Sequence, residues 1–107
     1  MALRIRQGQG AWAWDPATVA WQANEVEIQY QGQWLRLDRL VQRQDADNNG
    51  HWWVLDFKSA PAPQQQPTLV AQLRNYQRAV QASYPGAVVR AAFLTAQGAL
   101  IELPKSS

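Results

Sequence analysis

Cysteine is absent from this chain of 107 residues, and histidine occurs once, at His51. The first absence excludes a disulfide framework and any thiolate metal site. The second excludes a zinc centre built on several histidines. No stretch approaches the ~18 consecutive apolar residues that a membrane span needs, so no membrane partner is expected. Residues 1–10 carry Arg4 and Arg6 but no apolar core of a secretory leader, and a cytoplasmic protein is expected. Neither sign of charge dominates: the formal net charge is +2, which permits a polyanionic partner through a small basic patch. What is abundant is apolar. A hydrophobic fraction of 47% with six Trp points to one globular domain with a modest core rather than to disorder.

Along the chain, residues 1–22 form an N-terminal segment and residues 23–104 a core domain. In the first, Asp15-Pro16 predicts the start of a short helix reaching about Gln22, although Trp12, Trp14 and Trp21 are also compatible with a strand or packed loop. Val26 to Tyr30 alternates apolar and polar, a half-exposed strand. Gln31-Gly32-Gln33 turns into a second strand from Trp34 to about Arg43, and the polar run Asp45 to Gly50 turns again. His51 to Lys58 is almost continuously apolar and belongs in the middle of a sheet. The connection from Ala60 to Pro67 holds Pro61, Pro63 and Pro67, which stop the strand. A helix follows to Ser83, with Leu69, Leu73, Tyr76 and Val80 on one face and Arg74, Arg78 and Gln81 on the other. Pro85-Gly86 ends it; Ala87 to Leu94 and Ala99 to Leu103 are the last strands. The order β-β-β-α-β-β defines an α/β domain with a mixed sheet flanked by a helix.

Asp38, Asp56 and Lys58 stand out within these strands. Charged groups are rarely buried among Leu, Val, Trp and Phe unless paired or ligating something. In an antiparallel hairpin, opposed residue numbers share a constant sum. Placing Asp38 against Asp56 centres the turn on Asp47 and pairs Leu37 with Phe57 and Val41 with Trp53, an apolar row on one face. The two acids and Lys58 then share the other face. Opposed Cβ atoms lie about 4.5–5.5 Å apart, a span that one Mg²⁺ or Mn²⁺ can bridge. The rival, a two-residue turn at Asn49-Gly50, pairs Asn48 with His51 and puts the acids on opposite faces. Register follows the buried face, which favours the first arrangement.

Other chemistry-bearing residues have plainer readings. Trp52 and Trp53 are packing residues or base-stacking platforms, with packing favoured. Arg74 and Arg78 form a solvated helix face or a phosphate contact. His51 is incidental at a strand start. Asp45 and Asp47 lack the distal bidentate glutamate of a calcium loop and read as turn residues. A same-face ion pair of little energetic weight is the less favoured reading of Asp56 with Lys58.

Three elements occur in order: Trp34-Leu35-Arg36-Leu37-Asp38-Arg39-Leu40-Val41, then Val54-Leu55-Asp56-Phe57-Lys58-Ser59, then Gln72-Leu73-Arg74-Asn75-Tyr76. This ordered set resembles the PD-(D/E)xK nuclease superfamily, and within it the RecB-like branch of exonucleases and helicase-associated nuclease domains. The resemblance covers roughly residues 25–103. It implies a restriction-endonuclease-like sheet and Mg²⁺- or Mn²⁺-dependent hydrolysis of DNA (RNA being the other candidate substrate). It also implies a helicase domain or subunit as partner. By the same resemblance Asp38 and Asp56 are metal ligands, the Phe57 carbonyl completes the shell, and Lys58 positions the attacking water. Glu25 or Glu27 joins the site, Glu25 being preferred, while Gln72 and Tyr76 face it and help bind nucleic acid. Leu35 departs from the small residue usual three before the first aspartate. Residues 1–22 are short for the helix that precedes the first strand in the family, so the chain is expected to be either a minimal module or a piece of a longer protein. A non-catalytic nucleic-acid-binding or scaffolding module of the same fold is the alternative.

Overall fold

The structure, a computed structural model, describes residues 8–45 and 49–104. Strands β1 (Val19–Tyr30), β2 (Gln33–Arg43) and β3 (Trp52–Lys58) are followed by helix α1 (Pro67–Ser83), then β4 (Val89–Thr95) and β5 (Leu100–Glu102). Short 3₁₀ turns occupy Ala11–Trp14 and Pro63–Gln65. The strands form one mixed sheet in the order β1-β2-β3-β4-β5, so β3 is central. Only the β3–β4 pair is parallel. That follows from the connection: a parallel neighbour needs a crossover, and α1 supplies it.

Local chemistry explains the joints. Gln31 and Gly32 both have positive φ, 50° and 77°, the pattern of a two-residue hairpin turn whose twist suits the flanking strands. Pro67 opens α1 at a position where no backbone donor is lost. From there Leu73 and Val80 are buried, and Leu69, Val70 and Tyr76 pack partly buried against the same core.

The short helix expected from Asp15 to Gln22 does not form. Asp15 caps a single turn, its Oδ1 accepting the Ala17 N–H at 2.9 Å and its carbonyl accepting the Val19 N–H at 3.0 Å. The chain then enters β1, pairing Val19 with Arg43 and Trp21 with Gln42. β1 therefore starts seven residues before Val26. A lone helix of that length is marginal, whereas β-branched Thr18 and Val19 beside Trp21 suit a strand that finds a partner in β2.

The β2–β3 register is the expected one: Val41 opposes Trp53, with Arg39 opposite Leu55. The continuous apolar row is not. Leu37 packs with Leu40, Val54, Leu73 and Phe93 under α1, whereas Val41 packs with Trp53, Leu55 and Ala13 on the rear face of the sheet. Strict alternation would keep Leu37 and Val41 together, so β2 changes face near Asp38. β1 is distorted at the same level: Asn24 pairs with Arg39 and Val26 with Leu37, and Glu25 between them has φ 53°, in the left-handed region. Asp47, the expected turn centre, lies outside the described residues.

Candidate functional site

β3 pairs with β4 all the way to Lys58, but its pairing with β2 ends at Arg39–Leu55. Beyond that rung the two strands part. Asp38 sits in the fork, and its Oδ2 accepts the Phe57 N–H at 2.8 Å, a side chain standing in for the backbone carbonyl that would have continued the ladder. This contact directs the Asp38 carboxylate toward β3, where Asp56 projects. Asp56 shares the α1 side of the sheet with Val54, buried among Leu73 and Phe93.

Asp56 is 4% exposed. Lys58 Nζ lies 3.3 Å from Asp56 Oδ2, at ion-pair distance, yet that oxygen accepts no well-formed hydrogen bond among the described residues. Burial first, and then Asp38 within hydrogen-bonding reach, push the Asp56 carboxyl up to about 7, with Lys58 pulling against them. Two carboxyls that close cannot both ionise cheaply, so in the absence of a cation Asp56 keeps its proton well above the usual carboxylate range. Tyr76 completes the cluster from α1. Burial raises its phenol above the ordinary range, and the charges of Asp56 and Asp38 add to the shift.

The structure thus brings together Asp38, Asp56, Lys58 and Tyr76. Other sequence-derived candidates lie elsewhere. Glu25 is exposed and ion-paired to Arg36 at 3.1 Å, and Glu27 is exposed on the same strand. The Glu25 backbone lies in the left-handed region, and its side chain is exposed. Gln72 is exposed one turn before Tyr76, and among the described residues no contact joins it to the acids. Arg74 donates to Gln77 Oε1 at 2.9 Å and to the Pro104 carbonyl, while Arg78 is exposed on the outer helix face. Trp52 and Trp53 are both buried, the first stacked on Tyr84 and the second edge-on to Trp12.

Sequence reasoning missed the support behind the fork. Arg39, next to Asp38, is 2% exposed. Its guanidinium donates to Asn24 Oδ1 at 2.7 Å, to the Ala13 carbonyl at 2.6 Å and to Gln22 Oε1, and lies 4.5 Å from the centre of the Trp14 ring. Its signal was positional: Arg39 alternates with Val41, which places it inward.

No cluster of three or more Asp, Glu, His or Cys side chains suited to a metal occurs among the described residues. Two carboxylates with backbone oxygen and water still meet the needs of Mg²⁺, which keeps several waters. The buried Asp56 oxygen lacking a hydrogen bond, with a second carboxylate beside it, fits a hard cation. No helix among the described residues is long and apolar enough to cross a membrane. Comparison of the chain with protein-family models and with curated proteins gives no match.

Proposed function

We propose that this chain is a metal-dependent nuclease module, similar to the RecB-like branch of the PD-(D/E)xK superfamily, with a restriction-endonuclease-like sheet. Its reaction would be hydrolysis of DNA phosphodiesters. The observation that carries the reading is the meeting of Asp38, Asp56 and Lys58 where β2 and β3 part. An ion pair kept only for stability has no need of a second, like-charged carboxyl beside it. Attack from strand ends, and a helicase as partner, rest on the resemblance alone.

Mg²⁺ or Mn²⁺, when bound, supplies Lewis acidity toward the phosphate and a water acidic enough to attack it. Asp38 and Asp56 would hold the ion with the Phe57 carbonyl. Binding of the ion would require the raised Asp56 carboxyl to release its proton. The Lys58 ammonium, 3.3 Å from Asp56 Oδ2, is placed to orient a water and offset negative charge building on the phosphate. Tyr76 offers a hydroxyl at the same spot for a phosphate oxygen. Glu25, turned out to Arg36, favours a second reading, in which the fork binds nucleic acid without cutting it.

End-labelled linear DNA incubated with Mg²⁺ or Mn²⁺, using wild type and Asp56→Ala, tests the proposal. The expected result is cleavage by wild type, abolished by chelator and absent from the variant. DNA binding without cleavage by wild type supports the second reading; cleavage undiminished in Asp56→Ala refutes the first.

A further inference from the structure

The fork has a brace on the opposite side of the sheet. Trp14, the last residue of the Ala11–Trp14 turn, stands between the side chains that flank the acids. Its ring carries the Arg39 guanidinium at 4.5 Å on one side and meets the Phe57 ring at 6.1 Å, tilted by 30°. Arg39 follows Asp38 in β2, and Phe57 lies between Asp56 and Lys58 in β3. Trp14 therefore touches both arms of the fork one residue from each acid. Arg39 ties the same turn down through the Ala13 carbonyl, and ties β1 through Asn24 and Gln22. No backbone rung joins β2 and β3 at this level, so the separation of the arms is set by side chains. In front is the bond from the Phe57 amide to Asp38; behind are the contacts of Trp14 with Arg39 and with Phe57.

We propose that Trp14 is a positioning residue of the candidate site: packed against both Arg39 and Phe57, it fixes the gap between β2 and β3 at which the Asp38 and Asp56 carboxylates converge. Its consequence for a cation rests on the metal-site reading above; its consequence for the fork does not.

Trp12 provides the matched comparison. It belongs to the same turn and the same rear face, but packs on Trp53 at 4.9 Å with Arg43 over its ring at 3.9 Å. It therefore lies behind the paired part of the hairpin, where the Val41–Trp53 rung already holds the strands. The two tryptophans should then differ in what their loss disturbs. Outer residues that orient metal ligands typically matter by about 10- to 100-fold in affinity.

The test measures two quantities on Trp14→Leu, Trp14→Phe and Trp12→Leu: hydrogen exchange at the Phe57 amide in metal-free protein, and Mn²⁺ affinity. Trp14→Leu is expected to lose Phe57 protection while residues 40–42 keep theirs, and to weaken Mn²⁺ binding by about 10-fold or more. Trp14→Phe, which keeps an aromatic ring, should recover most of both. Trp12→Leu should lower the melting temperature yet leave both unchanged. If Phe57 stays protected in Trp14→Leu, or if Trp12→Leu disturbs the fork equally, the inference is overturned. Should Trp14→Leu not fold, the contrast between Trp14→Met and Trp12→Met, which also remove the ring, decides on the same criteria. A wild type that fails to bind Mn²⁺ defeats the metal reading, while the exchange comparison still decides the role of Trp14.

Discussion

Asp38 Oδ2 accepts the backbone N–H of Phe57 at 2.8 Å, occupying the place of a main-chain carbonyl where β2 leaves β3. One side chain thus closes the hairpin and brings a carboxylate beside Asp56. Structural and chemical roles meet in the same oxygen, and substitutions can separate them.

Asp38→Ala leaves the half-buried Phe57 amide without its acceptor, and the ~1–3 kcal/mol cost of an unmet buried donor is the upper bound on the loss. Asp38→Asn keeps an amide oxygen in reach and should recover most of that loss. Urea unfolding of both variants checks this. Both should lose cation binding, because a neutral amide is a poor ligand for a hard divalent ion.

Asp56 sets a pH dependence. Its folded-state carboxyl titrates near 7, against an ordinary value of 3.8, so the native state holds a proton that the unfolded chain has released. The stability linked to this group is fully present below pH 3.8 and is lost as pH rises through 7. Metal-free wild type should therefore fall in melting temperature relative to Asp56→Asn across that window. With Mn²⁺ the trend reverses, since deprotonation opens the site and stabilisation by the ion grows with pH. Equal slopes for the two proteins in the absence of metal would contradict the buried, proton-holding carboxyl.

Much of this arrangement was legible in the residues themselves. β3 is central because its run from Trp52 to Leu55 is apolar on both faces, and every one of these residues is buried. The hairpin register followed from the same run, since only one pairing sets Val41 against Trp53. The face change at Asp38 was hidden. Periodicity arguments assume unbroken alternation, and a left-handed Glu25 across the pair breaks it for reasons that no hydrophobic pattern records. The N-terminal turn was equally hidden: Trp12 and Trp14 fit helix, strand or loop alike, and Ala13 meets Arg39 26 residues away. Glu25 was a candidate ligand through the resemblance alone; it is exposed and paired with Arg36.

Lys58 separates catalysis from binding. Lys58→Ala should leave the fold and cation binding largely intact, because Asp38 and Asp56 remain, while abolishing DNA cleavage. Removing the ammonium also takes away a neighbour that lowers the Asp56 pKa, so cation binding in the variant should shift to higher pH. Single-turnover cleavage and Mn²⁺ titrations at two pH values test both halves; unchanged turnover would refute the role.

Leu73 provides the contrast from outside the site. It is fully buried under the sheet against Val54 and Phe93, and Leu73→Ala should cost about 2–5 kcal/mol through lost burial and the cavity left behind. Urea unfolding gives the value. At temperatures where the variant remains folded, its cation affinity should stay close to that of wild type.

The most direct test is a Mn²⁺ titration, followed by electron paramagnetic resonance, of wild type, Asp38→Ala and Asp56→Ala. A single tight site in wild type that disappears in each variant is the predicted outcome. Absence of Mn²⁺ binding by wild type, or a site that survives removal of either carboxylate, would contradict a cation held jointly by Asp38 and Asp56.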